Sequence, residues 1–150
     1  MEIAAVNYEA RAFGLYNRIS VQEGVRLCPQ LVLVRGDNGV NAMQRYRRAG
    51  QDVLRCVMAA LDAEKVPVGW VGRAVEHASF DDFFVQLPEQ LAAAEEAAAW
   101  GERLRRDVLQ TTGLRCSLGL ARTKLLSVLA TKRAKPNGLY SPHASPALFL

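Results

Sequence analysis

Val71-Gly72-Arg73-Ala74-Val75-Glu76-His77-Ala78-Ser79-Phe80-Asp81-Asp82-Phe83-Phe84-Val85-Gln86-Leu87 is the stretch on which the reading of this chain turns. It reads as strand from Val71 to about Leu87, interrupted near Ser79-Phe80-Asp81-Asp82. Aspartate disfavours strands, and two adjacent carboxylates repel each other. A divalent cation would offset that cost, because hard cations take oxygen ligands. Adjacent side chains in a straight strand point to opposite faces, so both carboxylates serve one site only at a turn or bend. A solvated turn between two strands explains the pair equally simply.

Outward from this hairpin the chain alternates helix and strand signals. Residues 42–61 carry Tyr46, Gly50, Val53, Val57 and Leu61 at three- and four-residue spacing, with Arg45, Arg47, Arg48 and Arg55 on the other sides. That pattern predicts an amphipathic helix. Residues 89–110 are helical by propensity, and their alanine-rich start (91–99) reads as solvent-facing. Gly113 is a natural stop, residues 114–120 read as a strand, and Thr123 can cap a helix over 124–134 that Pro136 ends. Towards the N-terminus, residues 3–7 and 31–34 read as short strands. Asn7 can cap a turn from Tyr8, and Ser20-Val21-Gln22-Glu23 is a capping box for a helix ending before Pro29. Gly36-Asp37-Asn38-Gly39 is loop chemistry. The order predicts an α+β fold, a sheet covered by helices. In it, 71–87 and 114–120 pair in one sheet and the Asp81-Asp82 turn lies on its open face.

Composition narrows the function. Of 150 residues, half are apolar and 23% charged, as in a soluble globular protein. No apolar run is long enough to span a bilayer, and no signal peptide is visible at Met1. Cys28, Cys56 and Cys116 lie far apart, and His77 and His143 do not cluster. That excludes a zinc centre or a disulfide framework and predicts reduced, mostly buried thiols. Residues 103–135 carry +8, whereas the whole chain carries +4. A basic segment of this kind fits a polyanion such as nucleic acid or nucleotide phosphate, and equally fits solvated helix faces. Two further features suit phosphate: Lys135 beside the tight turn Pro136-Asn137-Gly138, and Tyr8-Glu9-Ala10-Arg11 at a helix start.

Taken in order, these pieces resemble one family. Asn7-Tyr8-Glu9-Ala10-Arg11-Ala12-Phe13-Gly14 looks like the fingers signature of Y-family (translesion, UmuC-like) DNA polymerases. Cys28-Pro29, Tyr46-Arg47, Ser79-Phe80-Asp81-Asp82, Thr112-Gly113-Leu114, Cys116-Ser117-Leu118-Gly119, Lys124-Leu125-Leu126 and Lys135-Pro136-Asn137-Gly138 follow in the family's order. Residues 28–34 and Phe80 look more like polymerase iota than eta. The resemblance implies a fingers subdomain over 1–41 and a partial palm over 42–150, with the first palm strand, thumb and little finger absent.

The resemblance also implies roles. Asp81 and Asp82 would be the catalytic, metal-binding carboxylates, holding magnesium or, in its place, manganese. Tyr8, Arg11 and Lys135 would bind a deoxynucleoside triphosphate, and Lys124, Lys132 and Arg133 a DNA primer-template. A sliding clamp would be reached only through regions absent here, and no membrane is involved. The location would be nuclear in a eukaryote and otherwise cytoplasmic. Three departures count against full activity. The family's other metal-binding aspartate, on a strand roughly forty residues before the fingers motif, is not in the chain. Asp82 stands where the family has the longer glutamate, and Asn17 lies near where eta and iota carry a basic residue. Two other readings remain: a non-catalytic DNA- or nucleotide-binding remnant of the family, and an unrelated basic nucleic-acid-binding module.

Overall fold

Three helices of this protein start where capping side chains sit. In the computed structural model, which describes residues 1–36 and 43–142, Asn7 accepts from the Ala10 N–H and opens α1 (Tyr8–Ala12). Ser20 accepts from the Glu23 N–H and opens α2 (Val21–Leu27). Both belong to a compact unit over residues 1–40. Its small core is Ala10, Leu15, Ile19 and Cys28, with Ile3, Val6 and Leu31 packed against it. The strands expected at 3–7 and 31–34 do not form. The N-terminal segment makes one isolated bridge, Glu2 with Ser20, and two backbone bonds between Ile3 and the Arg18–Ile19 turn. Val32 and Val34 stay 79% and 87% exposed, in no ladder among the described residues. An apolar run becomes a strand only where a neighbouring edge accepts its backbone. The loop expected over 36–39 lies, from Asp37 on, outside the described residues.

The second unit spans residues 41–150. Its core joins α3 (Gln44–Asp62) to α5 (Ala94–Thr112): Val57 and Leu61 pack with Trp100, Leu104 and Val108. The Trp100 indole N–H donates to the Ala60 carbonyl, and Arg103 pairs with Glu64 at 3.1 Å. The alanine run is not wholly solvent-facing. Ala97 is buried, because with Trp100, Gly101, Leu104 and Val108 it completes one helical stripe. Gly113 ends α5 in the left-handed region at φ 73°, its N–H bonded to the Leu109 carbonyl.

Residues 71–87 are not one strand pair throughout. Val71–Ala74 form a helical turn, α4, whose Val71 and Ala74 both face the core. The chain then extends as β1 (Val75–His77), turns, and returns antiparallel as β2 (Phe83–Val85), with Glu76 opposite Phe84. A 3₁₀ turn (Glu89–Leu91) precedes α5. The strand expected over 114–120 contracts to β3 (Leu118–Gly119). It pairs in parallel with β4 (Leu139–Tyr140), which follows α6 (Lys124–Ala134). α5 packs on one face of this ladder, where Leu118 and Leu139 meet Gly101. α6 packs on the other, against Gly119, where a Cβ would lie 2.3 Å from the Ser127 carbonyl oxygen.

The single sheet expected from 71–87 and 114–120 is therefore two ladders of two strands among the described residues. The reason lies in the backbone. Gln86 donates to the Ala74 carbonyl and Ala78 to that of Asp82, so even-numbered β2 positions face β1. Phe83 and Val85 turn their backbone groups the other way. Leu118 and Leu120 donate to Gly138 and Tyr140, which turns Gly119 away from β4. Residues 83–87 and 116–121 both line a groove of about 1070 Å³, together with Val57, Leu91, Trp100, Leu104 and Val108. The two inner strands are thus separated rather than paired.

Candidate functional site

Asp81 and Asp82 close the β1–β2 hairpin, exposed and facing this groove. The turn is built by Ser79. Its hydroxyl lies 2.7 Å from Asp81 Oδ1 and 3.4 Å from Asp82 Oδ2, so its single proton goes to Asp81. Its oxygen accepts the backbone N–H groups of Asp81 and Asp82 at 3.3 and 3.1 Å. The Asp82 carbonyl accepts in turn from Ala78 and Ser79. Both adjacent carboxylates thereby reach one side of the hairpin, which a straight strand forbids.

The turn rests on α3. The Phe80 carbonyl sits over Gly50, where a Cβ would be 2.2 Å from its oxygen, and the Arg47 guanidinium lies 5.6 Å from the Phe80 ring centre. The two carboxylates offer only oxygen donors on one turn, a set that fits a single hard divalent cation, since magnesium binds through one or two carboxylates with water and phosphate completing its shell. Among the described residues no three His, Cys, Asp or Glu side chains cluster to hold a metal by themselves.

The expected cations divide. Lys132 and Lys135 line the same groove as Asp81 and Asp82. Lys124 also lines it, but its ammonium is paired with Glu76 and lies 5.4 Å from the Phe84 ring centre, tying α6 to the hairpin. Both partners are well exposed, so the pair is a weak restraint that a polyanion can displace. Arg133 is not among the groove-lining residues. It stacks on Tyr140 at 5.6 Å and reaches its hydroxyl at 3.5 Å.

In the N-terminal unit, Tyr8 and Arg11 come together, with the guanidinium 5.5 Å from the ring centre. Arg11 donates to the Val6 carbonyl and to Asn17 Oδ1, each at 3.2 Å. Asn17 therefore orients Arg11, a role the sequence reading did not give it.

The roles of three further residues, Arg105, Ser117 and Ser79, were missed. Arg105, counted as one charge in the basic segment, is turned inward. Its Nη2 donates to the Asn137 carbonyl and side-chain oxygens at 2.5 and 2.9 Å, and its Nε to the Cys116 carbonyl at 3.1 Å. Ser117 Oγ accepts the Asn137 N–H at 2.9 Å. No local sequence signal marks these contacts, because they span 11 to 32 residues. Ser79 was detectable: a serine two and three positions before the residues whose N–H groups it accepts is a familiar turn device. Of the thiols, Cys28 is buried while Cys56 and Cys116 are half-buried, and all three are free. Burial pushes the Cys116 thiol above its ordinary range, with Arg105 pulling the other way.

Residues 1–132 match the impB/mucB/samB family. DNA polymerase IV of Lactococcus lactis subsp. cremoris is 27% identical over 91% of this chain and 33% of its own length. DNA polymerase IV of Streptomyces coelicolor is 34% identical over 91% of this chain and 26% of its own length. The chain thus spans about a third or less of the curated relatives it matches. Among solved structures, a Dbh ternary complex superposes with a TM-score of 0.76 at 18% identity, covering 93% of this chain and 37% of that one. DinB from Sulfolobus solfataricus gives 0.70 at 19% identity, over 90% and 35%. These likenesses show a shared fold. The bacterial relatives give no support to an eta- or iota-like subgroup or to a nuclear location. With its match running from the first residue through almost all of α6, the chain belongs to the impB/mucB/samB family of UmuC-like, Y-family polymerase proteins.

Proposed function

We propose that this chain is the fingers and partial palm of a translesion DNA polymerase, serving template-directed nucleotidyl transfer across damaged DNA. One observation carries the reading: the Asp81-Asp82 turn and Lys135, more than fifty residues apart, line one groove. Asp81 and Asp82 would hold magnesium, or manganese in its place, which when bound supplies charge stabilisation at phosphoryl oxygens. Ser79 orients Asp81 by its hydroxyl bond. Lys135 serves as a point charge for the triphosphate, and Tyr8 with Arg11 supplies hydroxyl and guanidinium donors from the fingers. Lys132 and Lys124 face DNA phosphates, Lys124 by exchanging Glu76 for them, and Arg133 adds a more distant contact. A structural neighbour of the same fold was solved as an insertion ternary complex of Dbh DNA polymerase.

The same proposal gives the groove between β2 and β3 a use. The aspartate-bearing first palm strand expected from the resemblance would lie there, bonding to Val85 on one side and Gly119 on the other. It would bring a third carboxylate to Asp81 and Asp82. A second reading, a non-catalytic nucleotide- or DNA-binding remnant, is favoured by Asp82 in the place of glutamate.

Primer extension with magnesium or manganese separates the two readings. Residues 1–150 should bind primer-template weakly and salt-dependently and extend it little. A version preceded by an aspartate-bearing strand segment should extend it, and Asp81→Ala should abolish that extension. Losing such a metal ligand costs several powers of ten in rate. Extension that survives Asp81→Ala would show the metal site to be elsewhere.

A further inference from the structure

We propose that Arg105 is a positioning residue that fixes Lys135 for phosphate, an inference that rests on the reading of Lys135 as a triphosphate ligand. Lys135 caps α6, its N–H bonded to the Thr131 carbonyl at 3.1 Å. The chain then turns through Pro136-Asn137-Gly138 into β4. Asn137 holds a left-handed φ of 55°. It is pinned on three atoms: its N–H by Ser117 Oγ, and its carbonyl and side-chain oxygens by Arg105 Nη2.

The other nitrogens of Arg105 are also used. Nε holds the Cys116 carbonyl, and Nη1 pairs with Glu102 Oε2 at 2.6 Å. One guanidinium thus ties α5, the approach to β3 and the turn after Lys135. Its side chain is only 15% exposed, so the guanidinium is held against the protein rather than extended into water. Gly138 lets the turn close on the helix end, since a Cβ there would sit 2.5 Å from the Ala134 carbonyl oxygen. A lysine at 105 would keep the charge and the stem. It has no planar fork, and one compact ammonium does not reproduce bonds that Arg105 sends from separate nitrogens, Nε and Nη2, to two segments.

The test titrates inorganic tripolyphosphate into the 150-residue chain at low salt by calorimetry, with thermal unfolding recorded for each variant. Arg105→Lys should weaken binding by about tenfold, the usual scale for losing a group that orients a ligand residue. Lys135→Ala should weaken it as much or more. Adding Arg105→Lys to Lys135→Ala should cause no further loss, because Arg105 acts only through Lys135. A general loss of structure would lower affinity in both backgrounds. Ser117→Ala, which cuts one bond to Asn137, is the milder variant should Arg105→Lys not fold, and it should show the same dependence on Lys135. A folded Arg105→Lys or Ser117→Ala protein that binds like the parent, or whose loss persists in the Lys135→Ala background, overturns the inference. Lys135→Ala binding like the parent overturns the phosphate reading itself and the inference with it.

Discussion

Gly50→Ala asks whether the Asp81-Asp82 turn is seated on α3. Gly50 lies inside a 19-residue helix, where alanine is worth about 1 kcal/mol more than glycine. Helix propensity alone therefore predicts stabilisation. The structure predicts the reverse. The new Cβ would stand 2.2 Å from the Phe80 carbonyl oxygen, about 1.2 Å inside ordinary contact, and 3.3 Å from its carbon. The obstacle is backbone, so rotating a side chain gives no relief and the turn itself must move. Overpacking of this kind costs about 1–3 kcal/mol. The net expectation is a loss of about 1 kcal/mol after the propensity gain is subtracted. In a chain of this size that lowers the melting temperature by about 2–4 °C. The displaced turn carries both carboxylates with it, so manganese affinity, read by water-proton relaxation, should fall in the same variant. A melting temperature that rises would refute the reasoning, since the turn would then not rest on Gly50.

Two glycines where helices meet the β3–β4 ladder, Gly119 in β3 and Gly101 in α5, should respond unequally to the same change. Gly119→Ala meets α6 backbone at 2.3 Å and should destabilise by more than about 2 kcal/mol, whereas Gly101→Ala meets only side-chain atoms of Leu139 and Leu118, the nearest a methyl tip, and should cost under about 1 kcal/mol. Urea denaturation of the pair checks this, and equal losses would contradict the described packing of α6. Burial raises the Cys116 thiol above its ordinary 9.0, so its contribution to stability is full below that value and is lost as pH rises through the folded-state value. The parent should lose stability more steeply than Cys116→Ala in alkaline buffer, and superimposable curves would count against the assignment.

Much of the fold was legible because it is written in local chemistry. Asn7, Ser20 and Thr123 each cap the helix their side chains announce. The polar interruption at Asp81-Asp82 is the turn it suggests. Reading failed where tertiary contacts decide. Val71-Gly72-Arg73-Ala74 has no strong helical signal, and becomes a turn of helix because Val71 and Ala74 both reach the core. β4 is two residues long and depends on the neighbouring backbone of β3. The strand-like run at 31–34 has the right residues but no ladder among the described residues. At the candidate site, carboxylates and lysines were visible as residue types. The Arg105 clamp was not, because two of its four acceptors are backbone carbonyls, which every sequence contains, and those on Asn137 lie 32 residues away.

Where no further strand covers it, the outward backbone of β2 also bears on how copies of this chain behave towards one another. Phe83-Phe84-Val85 is apolar and strand-forming, and its outward N–H and C=O groups are a template for any extended chain that drifts near. Asp81 and Asp82 stand immediately beside that template. Two hairpins approaching edge to edge bring four carboxylates together, and the repulsion acts as a gatekeeper against aggregation. The carboxylates proposed to hold a cation would thus also oppose self-association. Substituting them tests both proposed roles at once, and only monodisperse material can tell the two apart.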